Sequence, residues 1–220
     1  ITLNETFNYG DTNNWQSASW NRWGNDLQVI NNSEVQCYQA IAAPGNTVYR
    51  SGCLARTTMH QNDHQATIRT NGAWDAYDTT ATTRAFVRCR NNGTEGAVLY
   101  LDGSNNVVRA RIGVMNPEGP AGSMGVIKAT NTANTVLNPA TLDSVPQDWT
   151  IRAEGQWYRG YLNGTLIPGC EWQDTTGIIG IGKNYRTVGF GTDQYAYNVG
   201  FNRAITNAVD NFTATDLAAT

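Results

Sequence analysis

From Arg84 to Val114 side-chain character alternates with a period of two, interrupted only by clusters of turn residues. In Arg84-Ala85-Phe86-Val87-Arg88-Cys89-Arg90 the apolar set Ala85, Val87 and Cys89 shares one face, and Arg84, Phe86, Arg88 and Arg90 share the other. A turn at Asn91-Asn92-Gly93-Thr94 leads into the apolar run 96–101, and Asp102-Gly103 with Asn105-Asn106 supplies the next turn. Val107–Val114 alternates again, with Val108, Ala110, Ile112 and Val114 inward and Arg109 and Arg111 outward. This spacing predicts three consecutive antiparallel strands and an all-β protein.

Further along, Trp149, Ile151 and Ala153 fall on one side of a strand, and residues 157–162 meet 165–167 across Asn163-Gly164, a strong short-range hairpin signal. Residues 116–146 hold Pro117, Pro120, Pro139 and Pro146 with Gly119, Gly122 and Gly125, and have no steady period. They read as long connections around one short strand near 126–129, and long loops on a β scaffold are candidate binding loops. Neither a repeat nor a linker divides the 220 residues, so one domain over 1–220 is expected.

The net charge of −3 removes the basic footprint that nucleic-acid binding needs, and no apolar run is long enough to span a membrane as a helix. No targeting segment is evident at the start. Lys128 and Lys183 are the only lysines, so the positive charge sits on arginine, which suits planar bidentate contacts. Cys37, Cys53, Cys89 and Cys170 form no C-x-x-C pair, which argues against sulfur-bound metal. A Cys37–Cys53 bridge and four buried thiols are both open readings.

The opening Glu5-Thr6-Phe7-Asn8, followed by Asp11, Trp15 and Trp20, is similar to the first strand of concanavalin A-like (lectin/glucanase, laminin-G-like) jelly rolls. The ending Val209-Asp210-Asn211-Phe212-Thr213-Ala214-Thr215 resembles their closing strand, and residues 149–166, with the turn Tyr161-Leu162-Asn163-Gly164-Thr165, resemble a characteristic hairpin of theirs. The resemblance implies a two-sheet antiparallel sandwich of about six or seven strands per sheet, with first and last segments paired. Such domains recur in minor tail and tail-tip proteins of bacteriophages and in secreted polysaccharide-active proteins. A virion tail or extracellular setting is therefore expected, with a trimer or other virion proteins as partners.

Hydrolases of this fold carry carboxylates at alternate positions of one strand, and no E-x-D-x-E pattern occurs here. Neither the lyase motifs nor a G-x-S-x-G nucleophile elbow is present, so no catalytic residue is assigned. His60, Asp63 and His64 offer metal-type ligands, but a polar turn explains them better. Oxygen-rich turns at 75–78 and 102–106 resemble ion-holding turns of laminin-G-like domains, which leaves calcium open as a cofactor. The expected function is noncatalytic recognition of a cell-surface polysaccharide or glycoconjugate; a structural virion subunit and a lyase or glycosidase are the alternatives. Arg88, Arg90, Arg109 and Arg111 are expected to form a cationic ladder on a concave sheet, with Trp74, Asp75, Tyr77 and Tyr195 in rim loops as sugar contacts. At least two of Trp15, Trp20, Trp23 and Trp149 are expected in the core.

Overall fold

The alternating segments pair as antiparallel strands, numbered β1 to β16 in chain order, in two sheets with their apolar faces together. The computed structural model describes residues 1–12, 14–30, 33–38, 47–70, 82–104, 107–131, 146–196, 203–205 and 208–218. Sheet I runs β13 (Thr165–Gln173), β12 (Trp157–Leu162), β11 (Gln147–Glu154), β6 (His64–Thr70), β16 (Val209–Asp216), β4 (Glu34–Tyr38) and β3 (Asp26–Ile30), with β1 (Thr2–Glu5) also on β16. Sheet II runs β10 (Ile127–Thr130), β9 (Val107–Val114), β8 (Ala97–Ser104), β7 (Thr83–Cys89), β14 (Thr187–Ala196), β5 (Thr47–Ala55) and β2 (Trp20–Gly24), with β15 (Arg203–Ile205) also on β14. Among the described residues each sheet has eight strands, more than the six or seven expected, and β1 pairs with β16 as expected. Among the described residues the only helical turn is a 3₁₀ segment at Lys183–Tyr185, and no helix is long and apolar enough to cross a membrane.

The core is the seam between the sheets. Leu99, Leu101, Val108, Ala110 and Ile112 of sheet II face Ala66, Ile68, Trp149, Ile151 and Ala153 of sheet I, all fully buried. Phe190 centres the aromatic end, with ring centroids 5.1 Å from Phe7, 5.3 Å from Trp20 and 5.9 Å from Phe212. Such edge and tilted pairs add about 0.5–1.5 kcal/mol each beyond area burial. Trp15, Trp20 and Trp149 are core residues, whereas Trp23 is half-buried on the outer side of sheet II. The β12–β13 hairpin turns through Asn163 at φ 49° and Gly164 at φ 80°, the left-handed pair of a type I′ turn.

Alternation breaks at Arg88. Its φ is +49°, and the β7–β14 register slips there, Cys89 pairing with Thr187 but Phe86 with Gly189. This is a β-bulge: one extra residue reverses the facing of everything after it. Arg88 therefore points inward, and Cys89 turns out of the seam to join Phe86, Val98, Tyr100 and Met115 in a second cluster, both against the sequence expectation. All four cysteines are free and buried, so no Cys37–Cys53 bridge exists: Cys37 lies in sheet I and Cys53 in sheet II.

The second cluster lies on the outer face of sheet II under a strap of residues 115–126. Gly52 makes room for it; a Cβ there would stand 2.3 Å from the Pro120 carbonyl oxygen. Arg84 Nη1 donates to the Gly122 carbonyl at 2.8 Å, and the Gly125 amide donates to the Tyr100 hydroxyl at 3.0 Å.

Candidate functional site

Beyond the strap, the outer face of sheet II carries a row of charged side chains. Strand register lines up Arg109, Asp102, Asp193 and Arg50 across β9, β8, β14 and β5, with Thr82, just before β7, between the two carboxylates. Asp102 accepts from Arg109 Nε at 3.2 Å and Nη2 at 2.9 Å, and from Arg111 Nη2 at 3.1 Å. Asp193 accepts from Arg84, from the Thr82 amide at 2.9 Å and from the Thr82 hydroxyl at 3.2 Å, with Arg50 Nε 3.8 Å away. Both aspartates are almost completely buried, while the side chains of Arg109, Arg50 and Arg111 keep 32%, 23% and 18% of their surface exposed. Solvent meets guanidinium groups anchored from beneath by carboxylates.

Burial pushes the Asp102 carboxyl above the ordinary carboxylate range, and Arg111 and Arg109 pull it back. Asp193 is also raised, by complete burial, against the pull of Arg84, the Thr82 amide and Arg50. Four arginines surround two carboxylates, so the row keeps positive character. Tyr195, two residues beyond Asp193 on the same face of β14, is half-buried beside it. The segment 193–196 is thus strand rather than the rim loop expected.

Of the expected ladder, Arg109 and Arg111 come together through Asp102. Arg90 lies beyond the opposite end of β7, in an exposed ion pair with Glu95 at 3.1 Å. Arg88 leaves the face entirely. Its side chain, 1% exposed, donates to the carbonyls of Asn62 at 3.0 Å and Gly155 at 2.6 Å, to the Tyr158 hydroxyl at 3.1 Å and to Asp63 at 2.8 Å. It ties β7 to sheet I and is structural. Trp74, Asp75 and Tyr77 lie outside the described residues. Sequence alone does not single out Asp102, Asp193, Arg84 or Arg50; the first two stand in segments that read as turn and loop.

The histidine cluster does not offer a metal site. His64 Nδ1 faces the Gln61 carbonyl at 3.1 Å and its Nε2 accepts the Arg88 amide at 3.1 Å, so both ring nitrogens are occupied. Among the described residues no group of three or more His, Cys, Asp or Glu is placed to hold a metal. Asp102 does not suit calcium either, because both its oxygens are taken by arginines in a buried site.

Over its whole length the chain superposes on solved structures. The VIP36 exoplasmic/lumenal domain, in a Ca²⁺/Man2-bound form, aligns at TM-score 0.60 with 8% identity, over 100% of this chain and 88% of that one. The fold is a concanavalin A-like jelly roll. The Emp47p carbohydrate recognition domain aligns at 0.55 with 9% identity over 98% and 94% of the two chains. A Bacillus licheniformis β-glucanase aligns at 0.54 with 10% identity, over 98% of each. No protein-family model matches the jelly roll, and no curated protein sequence does.

Proposed function

We infer that this jelly roll is a noncatalytic carbohydrate-recognition module whose ligand face is the outer side of sheet II, at the end carrying Arg109, Arg111, Arg50 and Tyr195. The observation that carries this reading is the row of partly exposed arginines over buried carboxylates, with Arg109 and Arg111 hydrogen-bonded to Asp102 and Arg50 held near Asp193 at 3.8 Å. Pinning removes much of the ordering cost of a long side chain, so the guanidinium groups are preorganised donors for sugar hydroxyls or carboxylates. Tyr195 supplies an aromatic surface for a pyranose C–H face. The strap covers the adjoining half of the same face and confines the ligand to this end.

The likeness to a mannose-bound lectin domain and to a carbohydrate recognition domain supports the same reading. Asp102 and Asp193 sit where no water reaches them, which disfavours a role as acid or base on a glycosidic bond. Trp74, Asp75 and Tyr77 belong to this reading as further sugar contacts, and 75–78 as the place for a calcium ion like that in the VIP36 structures. We place the module on a virion tail or otherwise outside the cell, on the motif resemblance and the preference for arginine over lysine. The test is a glycan array probed with the labelled chain, with and without calcium. Binding to a defined saccharide set is expected; no binding to any saccharide would overturn the reading.

A further inference from the structure

Apart from that face, a pocket of about 430 Å³ opens beside β2 at the edge of sheet II. Asn21, Arg22, Trp23 and Arg56 line it, together with the segment 15–17 and an edge of the core residue Trp20. Its size falls in the range of about 300–1,000 Å³ usual for small-molecule sites.

The charged groups that line the pocket are the arginines Arg22 and Arg56, with no carboxylate among the lining residues. Arg22 is committed: its Nη1 donates to Asn14 at 2.9 Å and its Nη2 pairs with Asp26 at 3.0 Å. Arg56 differs. It is exposed, its Nε donates to Asn21 Oδ1 at 2.9 Å, and among the described residues no carboxylate pairs with it. That one bond uses only Nε and leaves both terminal nitrogens for a ligand, and two such donors can take a carboxylate bidentately. Because Asn21 Oδ1 is occupied, its amide nitrogen is left as a further donor.

An added peptide strand is a poorer fit, although β2 is an edge strand. The Trp20 amide already donates to Ser17 at 3.2 Å, and the Arg22 side chain crosses the edge to Asn14 and the Trp15 carbonyl. Segment 14–17 thereby occupies the place a strand would take. An arginine with no carboxylate partner, close to the half-buried indole of Trp23, instead matches a pyranose ring bearing a carboxylate.

We propose that this pocket binds a uronic acid unit of an acidic glycan, with its carboxylate on Arg56 and its ring against Trp23. The site stands apart from the Arg109–Asp102 row and does not depend on it. The test is calorimetric titration of the whole chain with digalacturonate, against neutral digalactose, together with indole N–H spectra. Digalacturonate is expected to bind at least tenfold more tightly than digalactose, to lose at least tenfold in Arg56→Ala, to weaken with added salt and to shift the Trp23 indole resonance. Trp23→Phe, which keeps an aromatic wall, is expected to lose only a few-fold. Equal affinity for the two sugars, or an unchanged Arg56→Ala, would overturn the proposal. So would a loss confined to Arg109→Gln, because the acidic sugar would then occupy the other site.

Discussion

Asp102 stands directly opposite Arg109 in the β8–β9 ladder and, almost fully buried itself, holds that arginine through two hydrogen bonds. Arg111, diagonal to it, takes the same carboxylate. Asp102→Asn keeps the shape but leaves two arginines facing each other without a counter-charge. A loss of about 1–3 kcal/mol is expected, because charge-assisted bonds are lost while the arginines stay partly hydrated. Urea unfolding checks it, and Asp102→Asn with Arg109→Gln should recover part of the loss. An unchanged midpoint in the single variant would mean that the pair is not coupled.

His64 makes stability sensitive to mild acid. Burial, reinforced by the Arg88 charge, lowers its pKa to about 4, against 6.5 for a free histidine. Between these values the unfolded chain binds the proton and the folded one resists it. The contribution is complete above pH 6.5 and falls by about 3 kcal/mol as pH drops to 4. Raised Asp102 and Asp193 act with the opposite sign, so the measurement is the difference between wild type and His64→Gln. That difference should shrink steadily from pH 6.5 to 4; a constant difference would contradict the assignment.

The thiols should be silent in the folded state. Burial pushes Cys37 and Cys170 up to about 12, and Cys53 and Cys89 higher still. A thiol reagent at pH 8 should label none of the four in buffer and all four in guanidinium chloride, and reductant should not shift the melting temperature. Failure to label in denaturant would reveal a disulfide.

Gly52→Ala tests the strap. Its Cβ would collide with Pro120, so the strap must lift or β5 must move. The expected cost is about 1–3 kcal/mol, with faster cleavage by a glutamyl endopeptidase at Glu118, an exposed strap residue. Unaltered cleavage with unaltered stability would show that the strap is not seated on Gly52.

The sheets were legible in the sequence because alternation survives wherever one face of a strand is buried. Val107–Val114, the Asn163-Gly164 turn and the β1–β16 pairing were all readable. The Arg88 bulge was not: a left-handed arginine carries no glycine or asparagine signal, and its one-residue slip moved Arg88 and Cys89 to the wrong faces. The Asp102–Arg109 pair was readable in principle. Placing the β8–β9 turn at Asn105-Asn106 alone sets Asp102 opposite Arg109, whereas reading Asp102-Gly103 as turn conceals it. Asp193 was hidden for a different reason, since its partners Arg84 and Thr82 lie far away in sequence and meet it only through the β7–β14 pairing.

The most direct measurement is the affinity of the chain for its best array saccharide, compared between wild type and Arg109→Gln. Arg111 still neutralises Asp102 in that variant, so the fold should persist at a modestly lower melting temperature. At least tenfold weaker binding, about 1.4 kcal/mol, is the predicted result. Undiminished affinity in a correctly folded variant would contradict the assignment of the outer face of sheet II as the glycan surface.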